Sequence, residues 1–393
     1  MSYILCGVKI ALVTETYPPE VNGVAMTLHR LVTGILAEGH AIQLVRPRQT
    51  VEAEWCHFDG QLEELLVGSL PLPGYDRLRI GLPAMRRLKR LWQSSRPDVV
   101  HIATEGPLGG AALWVARRMK IPVVSSFHTN FHSYGAYYGV GLLQGIGFAY
   151  LRTFHNYTAA TFAPTRATCE ELAGQGIRNT RVMSRGVDCE LYQPATRCDK
   201  LRASWLGNAT APVVLYVGRI AQEKNLDLAI RGFYEIKRKQ PDARFVLVGD
   251  GPMRVELEKA HPEFVFTGFQ RGAELAKCYG SADIFLFPSV TETFGNVLTE
   301  AMASGLACVA YDYAAAAEYA TDGANALLAA KGDESGFLAA ASRLANDTEL
   351  RLGAAARDLA MRLSWGGVVR SYLADVSTML QCEECSLEYL EII

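Results

Sequence analysis

The sequence lacks the charge imbalance and the cysteine pairs that mark several classes of protein. Among its 393 residues, 39 Lys and Arg stand against 41 Asp and Glu, and a net charge of −2 gives no general attraction to nucleic acid. Its nine cysteines are an odd number, mostly scattered singly, which indicates reduced thiols in the cytoplasm rather than a disulfide framework. The only Cys-x-x-Cys pair, Cys382 and Cys385, has no second pair of ligands near it, so we expect no zinc site.

The sequence also lacks a segment typical of a membrane span or a secretory signal. Residues 1–7 are apolar but few, with no basic stretch, so they predict no signal peptide. Ser133–Leu151 carries no charge over 19 residues, which approaches the length of a spanning helix. Its five glycines and four tyrosines favour instead a segment that lines a binding site or lies at an interface.

Two ligand motifs are absent as well. No Asp-x-Asp pair occurs anywhere, so the usual carboxylate clamp for a metal-bridged diphosphate is missing. The loop Pro18–Val24 is not the Gly-x-Gly-x-x-Gly of dinucleotide binders, which counts against a nicotinamide dehydrogenase. With 49% apolar and 20% charged residues, the composition is that of a globular protein, and the length suffices for two domains.

The chain does contain a regular alternation of short apolar runs with helical patterns, which predicts parallel sheets covered on both faces. In the first half the predicted strands are Lys9–Thr14, Ala41–Val45, Asp98–Ile102, Pro122–Phe127 and Ala160–Ala163, with helices Val24–Glu38, Pro83–Ser95 and Gly109–Arg118. In the second half they are Val213–Val217, Arg244–Val248, Phe264–Phe266, Ile284–Phe287 and Ala307–Ala310, with helices Asn225–Lys239, Met253–His261, Gly272–Gly280 and Asn296–Ser304. The pattern breaks between Asp188 and Pro212, so we predict two doubly wound domains with ligands at the carboxyl ends of their strands.

Two glutamates separated by seven residues, Glu292 and Glu300, form the most informative pattern. They follow the predicted strand that ends at Phe287, and Gly295 permits a tight turn before the helix that begins at Asn296. Free backbone N–H groups at the start of that helix suit an anion. Carboxylates would repel an anion, so the glutamates are expected to accept hydrogen bonds from polyol hydroxyls. A phosphate flanked by two polyols is a sugar nucleotide.

Arg219 and Lys224 stand at the end of another predicted strand and just before a helix. A guanidinium can clamp two oxygens and an ammonium adds a compact charge, so the pair suits a diphosphate. The alternative is a pair of solvated surface cations.

Three glycines and one histidine also lie at predicted strand ends or helix starts. Gly249 and Gly251 would let the main chain approach a ligand, although a turn without a ligand would look the same. Gly23, at the start of the first helix, offers close approach to a phosphate. His128 follows a strand of the first half, where a lone histidine is more often structural.

Together these residues resemble the retaining nucleotide-sugar glycosyltransferases of family four, whose GT-B fold has two Rossmann-like α/β domains facing across a cleft. Their signature is a pair of glutamates spaced as Glu292 and Glu300 are, and the resemblance extends from Lys9 to about Tyr372. It implies an acceptor-side domain over 1–190 and a nucleotide-sugar-binding domain over 191–363. The segment 364–393 would be a helix that crosses back to the first domain, followed by a tail.

The resemblance implies roles for single residues as well. His128, Glu292, Arg219 and Lys224 are the catalytic set: the first two would contact the donor sugar and the last two the diphosphate. Glu300 would contact the ribose. The implied donor-binding set is Gly23, Arg219, Lys224, Gly249, Gly251, Glu292, Phe294, Gly295, Asn296, Val297 and Glu300. Neither a metal nor another cofactor is expected, because Arg219 and Lys224 would replace the charge of a metal.

Three strings, Phe127–His132, Thr291–Val297 and Tyr311–Ala316, are similar to those of GDP-mannose-dependent mannosyltransferases and glycolipid-forming members. They imply transfer of a hexose to an acceptor hydroxyl, with GDP-mannose favoured as donor and a UDP-hexose (glucose, glucuronate or sulfoquinovose) second. The implied acceptor is a membrane glycolipid or diacylglycerol, and the implied location is the cytoplasm, peripheral on the inner face of the cell membrane. The alternatives are a soluble sugar or polysaccharide acceptor, and a sugar-nucleotide-binding protein without catalysis.

Two further features accompany this resemblance. The predicted helix around Arg86, Arg87, Lys89 and Arg90 is basic and amphipathic, so it is either a membrane contact or a covering helix with a solvated face. Ala314–Ala317 stands where many members of the family carry a Gly-Gly turn, which leaves the shape of that loop, and any ligand role for Glu318, open.

Overall fold

A computed structural model describes residues 7–20, 22–49, 60–72, 75–128, 142–207, 211–344 and 349–381. These residues form two compact units. The first runs up to Arg185 and resumes at Trp365, and the second is Gly186–Ser364. The second unit begins and ends at one place, because Val187 N–H donates to Leu363 O at 2.8 Å and Val187 pairs with Ser364 in a parallel bridge.

The first unit is built on a parallel sheet of seven strands in the order β3-β2-β1-β6-β7-β8-β9, with β4 and β5 as a separate antiparallel pair. Its strands are β1 Lys9–Val13, β2 Ala41–Pro47, β3 Leu62–Val67, β4 Ser69–Leu72, β5 Tyr75–Gly81, β6 Val99–Ile102, β7 Val123–Ser126, β8 Ala160–Ala163 and β9 Thr180–Val182. Its helices before residue 186 are α1 Gly23–Ala37, α2 Met85–Ser94, α3 Pro107–Arg118, α4 Leu142–Asn156 and α5 Arg166–Gly174.

The second unit is a parallel sheet of six strands in the order β12-β11-β10-β13-β14-β15. Successive strands are therefore added on one side of β10 up to β12 and on its other side from β13 onward, so the strand order reverses between β10 and β13. Its strands are β10 Val213–Val217, β11 Arg244–Val248, β12 Val265–Gly268, β13 Ile284–Phe287, β14 Ala307–Tyr311 and β15 Leu327–Ala329. Its helices are α6 Asp199–Leu206, α7 Leu226–Lys239, α8 Arg254–Ala260, α9 Gly272–Gly280, α10 Asn296–Ala303, α11 Ala315–Tyr319, α12 Glu334–Arg343 and α13 Glu349–Ala360. In such sheets ligands bind at the carboxyl edge beside the point of reversal.

The last helix, α14 Trp365–Gln381, returns to the first unit and packs on α1. The contact is close because Gly34 has no side chain: a Cβ there would lie 2.5 Å from Val369 Cγ2. Tyr372, on the same helix, is buried, and its hydroxyl lies 3.0 Å from Nδ1 of the buried His101 on β6. Helices α2, α3 and α4 cover the opposite face of the sheet through a second apolar core.

The predicted α/β class with two doubly wound parallel sheets is confirmed, and every predicted strand appears with its ends shifted by at most two residues. The assignment of the first domain to the acceptor and the second to the nucleotide sugar stays a prediction. Among the described helices, none is both long and apolar enough to cross a bilayer. The Cys382–Cys385 pair and the first part of Ser133–Leu151 lie outside the described residues, while the end of that segment belongs to α4.

Candidate functional site

The loops after β10 and β13 lie side by side in the second unit, because these two strands are neighbours in the sheet. The first loop carries Arg219 and Lys224, and the second carries Glu292. Asn225 Nδ2 donates to Pro288 O at 3.4 Å, and Thr291 Oγ1 donates to Glu223 O at 3.1 Å. The two loops therefore form one connected surface at the point where the sheet reverses.

Lys224 and Glu292 are in direct contact. Lys224 Nζ donates to Glu292 Oε1 at 2.6 Å, and Ser289 Oγ donates to the same oxygen at 2.7 Å. Only 21% of the Lys224 side chain and 16% of the Glu292 side chain are exposed, so solvent screens this ion pair weakly. Tyr313 fixes the same loop from behind by donating its hydroxyl to Glu292 O at 2.7 Å.

Arg219 occupies a different environment in the same loop. Its side chain is 65% exposed, and its Nη1 lies 3.3 Å from Oε1 of Glu223, which is also exposed. A surface pair of this kind holds its partners weakly, with a median contribution of about 0–1 kcal/mol. The guanidinium can therefore leave Glu223 for a stronger anion at little cost.

Gly249 and Gly251 follow β11 and touch the loop after β10. A Cβ on Gly249 would lie 1.9 Å from Gly218 O, and one on Gly251 would lie 2.2 Å from Ile220 O. Any side chain at either position would collide with backbone, so the packing of the two loops already requires both glycines. Their presence alone therefore does not indicate a ligand.

The N-terminus of α10 offers backbone donors. Gly295 precedes the helix with φ 90° and ψ 56°, a left-handed conformation that glycine adopts without strain. No side chain in the described part of the chain caps this helix, and Asn296 and Val297 are its first two residues. Phe294 is 1% exposed and anchors the turn in the core. The arrangement suits an oxyanion held by main-chain N–H groups.

Glu300 lies in the second turn of α10 and faces a buried tyrosine from α9. Tyr279 Oη donates to Glu300 Oε2 at 3.0 Å. Burial raises the pKa of Glu300 from 4.5 to about 7, although the hydrogen bond from Tyr279 opposes this shift. Close to neutral pH, the Glu300 carboxyl thus exists in both its protonated and its ionised form.

In the first unit, Gly23 is the first residue of α1, and the preceding Asn22 caps the helix. Asn22 Oδ1 accepts hydrogen bonds from Val24 N–H at 3.0 Å and from Ala25 N–H at 2.8 Å. These two N–H groups, which could otherwise bind a phosphate, therefore already have an acceptor in the protein. A ligand at this end of α1 would meet mainly the backbone of Gly23.

His128 follows β7, and among the described residues neither of its buried ring nitrogens has a hydrogen-bond partner. Burial lowers its pKa well below 6.5, and the positive charge of Arg185 lowers it further. The imidazole is therefore neutral near pH 7, with one nitrogen able to donate and the other to accept. His132, the second histidine of the Phe127–His132 string, lies outside the described residues.

The loop at Ala314 keeps the backbone shape of a glycine turn without a glycine. Ala314 has φ 54° and ψ −125°, which an L-residue adopts only with strain. The next residue, Ala315, donates its N–H to Phe294 O at 2.8 Å, so this loop packs directly on the turn before α10. The loop shape that the sequence left open is therefore a strained one, fixed by the neighbouring turn.

The predicted site residues fall into two groups. Ten of the residues listed from the sequence lie together at the carboxyl edge of the second sheet, and Gly23 and His128 lie in the first unit. Three contacting side chains were not predicted: Ser289, Tyr279 and Tyr313. Ser289 opens the glutamate string and could have been found from that position, whereas nothing in the sequence distinguishes the two tyrosines from core residues. Within the described ranges, no three His, Cys, Asp or Glu side chains cluster as a metal would require.

The chain matches two family models. Residues 21–191 match the model of Glycosyltransferase Family 4, and residues 211–347 match that of Glycosyl transferases group 1. It is 35% identical over 315 residues to a GDP-mannose-dependent alpha-mannosyltransferase of Mycobacterium tuberculosis, which covers 78% of this chain and 80% of that protein. It is 26% identical over 316 residues to an alpha-monoglucosyldiacylglycerol synthase of Streptococcus pneumoniae, covering 77% of this chain and 71% of the relative.

Solved structures show the same fold. The crystal structure of Anabaena HepE in complex with UDP superimposes with a TM-score of 0.73 at 19% identity, over 94% of this chain and 100% of that one. At this identity the likeness concerns the fold alone, and it confirms the GT-B fold predicted from the sequence. The sequence relatives go further, because more than three quarters of the chain aligns with an enzyme at 35% identity. The chain belongs to glycosyltransferase family four.

Proposed function

We propose that this protein transfers a hexose from a nucleoside diphosphate sugar to an acceptor hydroxyl, with retention of anomeric configuration and without a metal ion. The observation that carries the proposal is the cluster after β10 and β13. There Arg219, Lys224 and the uncapped start of α10 supply positive potential, and Glu292 supplies a carboxylate beside them. One surface thus offers groups for both a diphosphate and a sugar.

Stabilisation of the leaving group would supply most of the rate. The departing diphosphate develops charge in the transition state, and fixed cations and N–H dipoles aimed at that charge lower the barrier. Arg219 can leave its exposed partner Glu223, and Lys224 can turn from Glu292 to a phosphate oxygen. The charge that a divalent cation supplies in other transferases would here come from these two side chains.

Glu292 and His128 would position the sugar. A carboxylate accepts hydrogen bonds from two neighbouring hydroxyls, and a neutral imidazole can donate to one hydroxyl. Neither side chain is a strong nucleophile in its observed environment, since Glu292 is bound by Lys224 and Ser289. We therefore propose attack of the acceptor on the face that the diphosphate leaves, with a diphosphate oxygen taking the acceptor's proton.

GDP-mannose is the donor favoured by the relatives, because the mannosyltransferase of M. tuberculosis is the more similar of the two described above. A UDP-hexose is second. A membrane lipid such as diacylglycerol is the favoured acceptor, in line with the printed name of the S. pneumoniae relative. Such an acceptor would place the enzyme at the inner face of the cell membrane as a cytoplasmic, peripheral protein.

The surface of α2 fits such a location in part. Arg86, Lys89 and Arg90 are exposed, and Arg87 donates to Leu66 O at 2.7 Å. Leu88 and Trp92 are completely buried against the sheet, so these two side chains belong to the core and cannot enter a bilayer. Contact of α2 with a membrane would therefore be mainly electrostatic.

The proposal is tested in two steps. Thermal melts with GDP, UDP and ADP identify the base, because a ligand that binds only the folded state raises the melting temperature. Transfer from the matching donor to diacylglycerol in mixed micelles is then followed by NMR of the anomeric proton. An α-linked product from an α-linked donor supports retention, and a β-linked product contradicts it. Donor binding with no transfer to any acceptor would favour a binding protein without catalysis.

A further inference from the structure

Gly23 differs from the other candidate site glycines in lacking a structural reason to be glycine. Its φ is not in the left-handed region. Apart from chain neighbours and the nearby backbone of α1 itself, the one atom of the described residues within 4 Å of a Cβ built on it would be Arg185 Nη1, at 3.7 Å. That is an ordinary van der Waals distance, so no described residue obstructs a methyl group at this position. By contrast, Gly249 and Gly251 are required by their backbone contacts, and Gly295 by its φ of 90°.

The space left open at Gly23 is bordered by a buried cation. Arg185 follows β9 as the last residue of the first unit before the chain enters the second, and it is only 6% exposed. A guanidinium has five N–H donors, so Arg185 can bind an oxyanion in addition to its contacts within the protein. A backbone without a side chain next to a planar cation is an arrangement that admits an oxyanion to both.

His128 belongs to the same neighbourhood, because the charge of Arg185 is among the causes that lower its pKa. Both of its ring nitrogens are buried, and neither has a partner in the described part of the chain. Buried polar atoms in native proteins are nearly always paired, so such atoms at a strand end indicate a partner other than the described residues. This observation is independent of the space at Gly23.

We propose that Arg185 is a further substrate-binding residue of this transferase, whose guanidinium holds a phosphoryl group against the backbone of Gly23 in the first unit. The inference rests on the proposed function and adds to it a cationic group outside the second unit. It also gives a reason for glycine at position 23: a side chain there would occupy the space that the phosphoryl group needs.

The phosphoryl group has two chemical sources in the proposed reaction, the diphosphate of the donor and the phosphate of an anionic lipid acceptor. Calorimetry with GDP, UDP, guanosine and uridine measures the first. Turnover at saturating donor with phosphatidylglycerol and with diacylglycerol measures the second, because both carry a free hydroxyl and only phosphatidylglycerol carries a phosphate. The variant is Arg185→Gln. Its matched control is Arg181→Gln, which removes an equal charge from a side chain of the same unit that is 43% exposed and pairs with Asp375.

If the donor is the source, Arg185→Gln weakens binding of the preferred diphosphate about 10- to 100-fold, as for loss of a hydrogen bond to a charged group. Binding of the matching nucleoside stays unchanged, and Arg181→Gln changes neither. If the acceptor is the source, Arg185→Gln raises KM for phosphatidylglycerol and leaves KM for diacylglycerol unchanged. If the variant matches Arg181→Gln in every arm, the assignment of Arg185 is overturned.

Gly23→Ala provides a second test that does not depend on the folding of an Arg185 variant. Because no described residue obstructs the added methyl group, the melting temperature of Gly23→Ala should equal or exceed that of the wild type. Its affinity for the phosphoryl-bearing ligand, the diphosphate or phosphatidylglycerol, should fall about 10-fold or more. Unchanged binding by Gly23→Ala overturns the proposal even if Arg185→Gln fails to fold. A wild type that binds neither GDP nor UDP and transfers no hexose overturns the proposed function itself, and that failure is visible without any variant.

Discussion

Lys224 Nζ lies 2.6 Å from Glu292 Oε1, so the two groups that the proposed reaction assigns to the diphosphate and to the sugar neutralise each other in the free protein. The donor must therefore separate them or insert between them. Until the donor binds, the ion pair keeps both side chains ordered and compensates the desolvation of each. Arg219 makes no comparable contact, since its partner Glu223 is exposed.

Arg219→Ala and Lys224→Ala should both lower turnover but differ in their effect on stability. Loss of one preorganised charge contact typically costs about 2.7–4 kcal/mol of transition-state stabilisation, which corresponds to a fall in kcat of roughly 10²- to 10³-fold. Arg219→Ala should change the free energy of unfolding by less than about 1 kcal/mol. Lys224→Ala leaves the half-buried Glu292 carboxylate with Ser289 alone and should cost about 1–3 kcal/mol. Turnover measured beside urea unfolding checks both, and near-wild-type turnover in both variants would contradict the diphosphate assignment.

Nucleotide binding should strengthen as the pH rises through about 7, because the ribose hydroxyls need the ionised form of Glu300, whose pKa is raised to about 7. Tyr279→Phe removes the hydrogen bond that opposes this shift, so the pH profile of GDP or UDP affinity should move to higher pH. Glu300→Gln should keep affinity at about the weaker, low-pH level of the wild type, so its profile should be flat and the loss should appear mainly above pH 7. Glu292→Gln, whose expected partner is the sugar, is the control and should not weaken affinity for the bare diphosphate, since it also frees Lys224 from its ion pair. Equal losses in Glu292→Gln and Glu300→Gln would refute this division of roles.

Ionisation of Glu300, which should favour nucleotide binding, has the opposite effect on the stability of the free protein. The pKa of Glu300 is higher in the folded state than the usual 4.5, so its protonated form stabilises the fold. This stability is present below about pH 4.5 and is lost as the pH rises toward 7, by up to about 3 kcal/mol at 1.36 kcal/mol for each pKa unit. The difference in unfolding free energy between wild type and Glu300→Gln, followed from pH 4 to 8, isolates this contribution from those of other carboxyls.

Ala314→Gly should stabilise the protein. Strain at a positive φ costs about 1–3 kcal/mol for a residue with a Cβ. Against this stand the loss of one buried methyl, about 0.8 kcal/mol, and the greater freedom of glycine in the unfolded chain, about 0.4–1 kcal/mol. We expect a small net gain in the free energy of unfolding. Ala316→Gly, in the adjoining helix and without a positive φ, is the control and should destabilise the protein. A loss in Ala314→Gly as large as in the control would show that position 314 is not strained.

EDTA should leave hexose transfer intact, because Arg219 and Lys224 are proposed to supply the charge that a metal would otherwise carry. The assay compares initial rates of dialysed enzyme with EDTA, with magnesium and with manganese. Complete loss in EDTA that either metal restores would contradict this part of the proposal.

Weak binding to anionic vesicles should depend on the exposed cations of α2. Each basic residue near an anionic surface contributes about 1 kcal/mol, and salt screens it. Substituting Gln for Arg86, Lys89 and Arg90 together should abolish sedimentation with vesicles at low salt and leave turnover on a soluble acceptor unchanged. Arg87 is spared because it holds Leu66 O. If the triple variant still sediments, α2 only covers the sheet; if the wild type never binds, a soluble sugar or polysaccharide acceptor becomes the better proposal.

The sequence predicted the sheets well because their central strands are continuous apolar runs, as strands covered on both faces must be. It did not predict β3, β4, β5, β9 or β15, which are short or lie at edges, where no apolar run is needed. The loop residues that carry charge were predicted because Arg219, Lys224 and Glu292 stand immediately after such runs. Tyr279 and Arg185 were missed for a different reason: what each side chain does is decided by contacts across the fold, which periodicity along the chain does not encode.

The bond between Val187 and Leu363 has a consequence for protein engineering. The second unit starts and stops at one point, and in sequence it is inserted between the two segments of the first unit. The coding region for Gly186–Ser364 can therefore be excised or replaced as a single piece. A chimaera made this way exchanges the whole surface around Lys224 and Glu292 while α14 stays on its own partner. A truncation after Arg185 would instead remove α14. It would expose the apolar face of α1 and remove Tyr372, whose hydroxyl contacts His101.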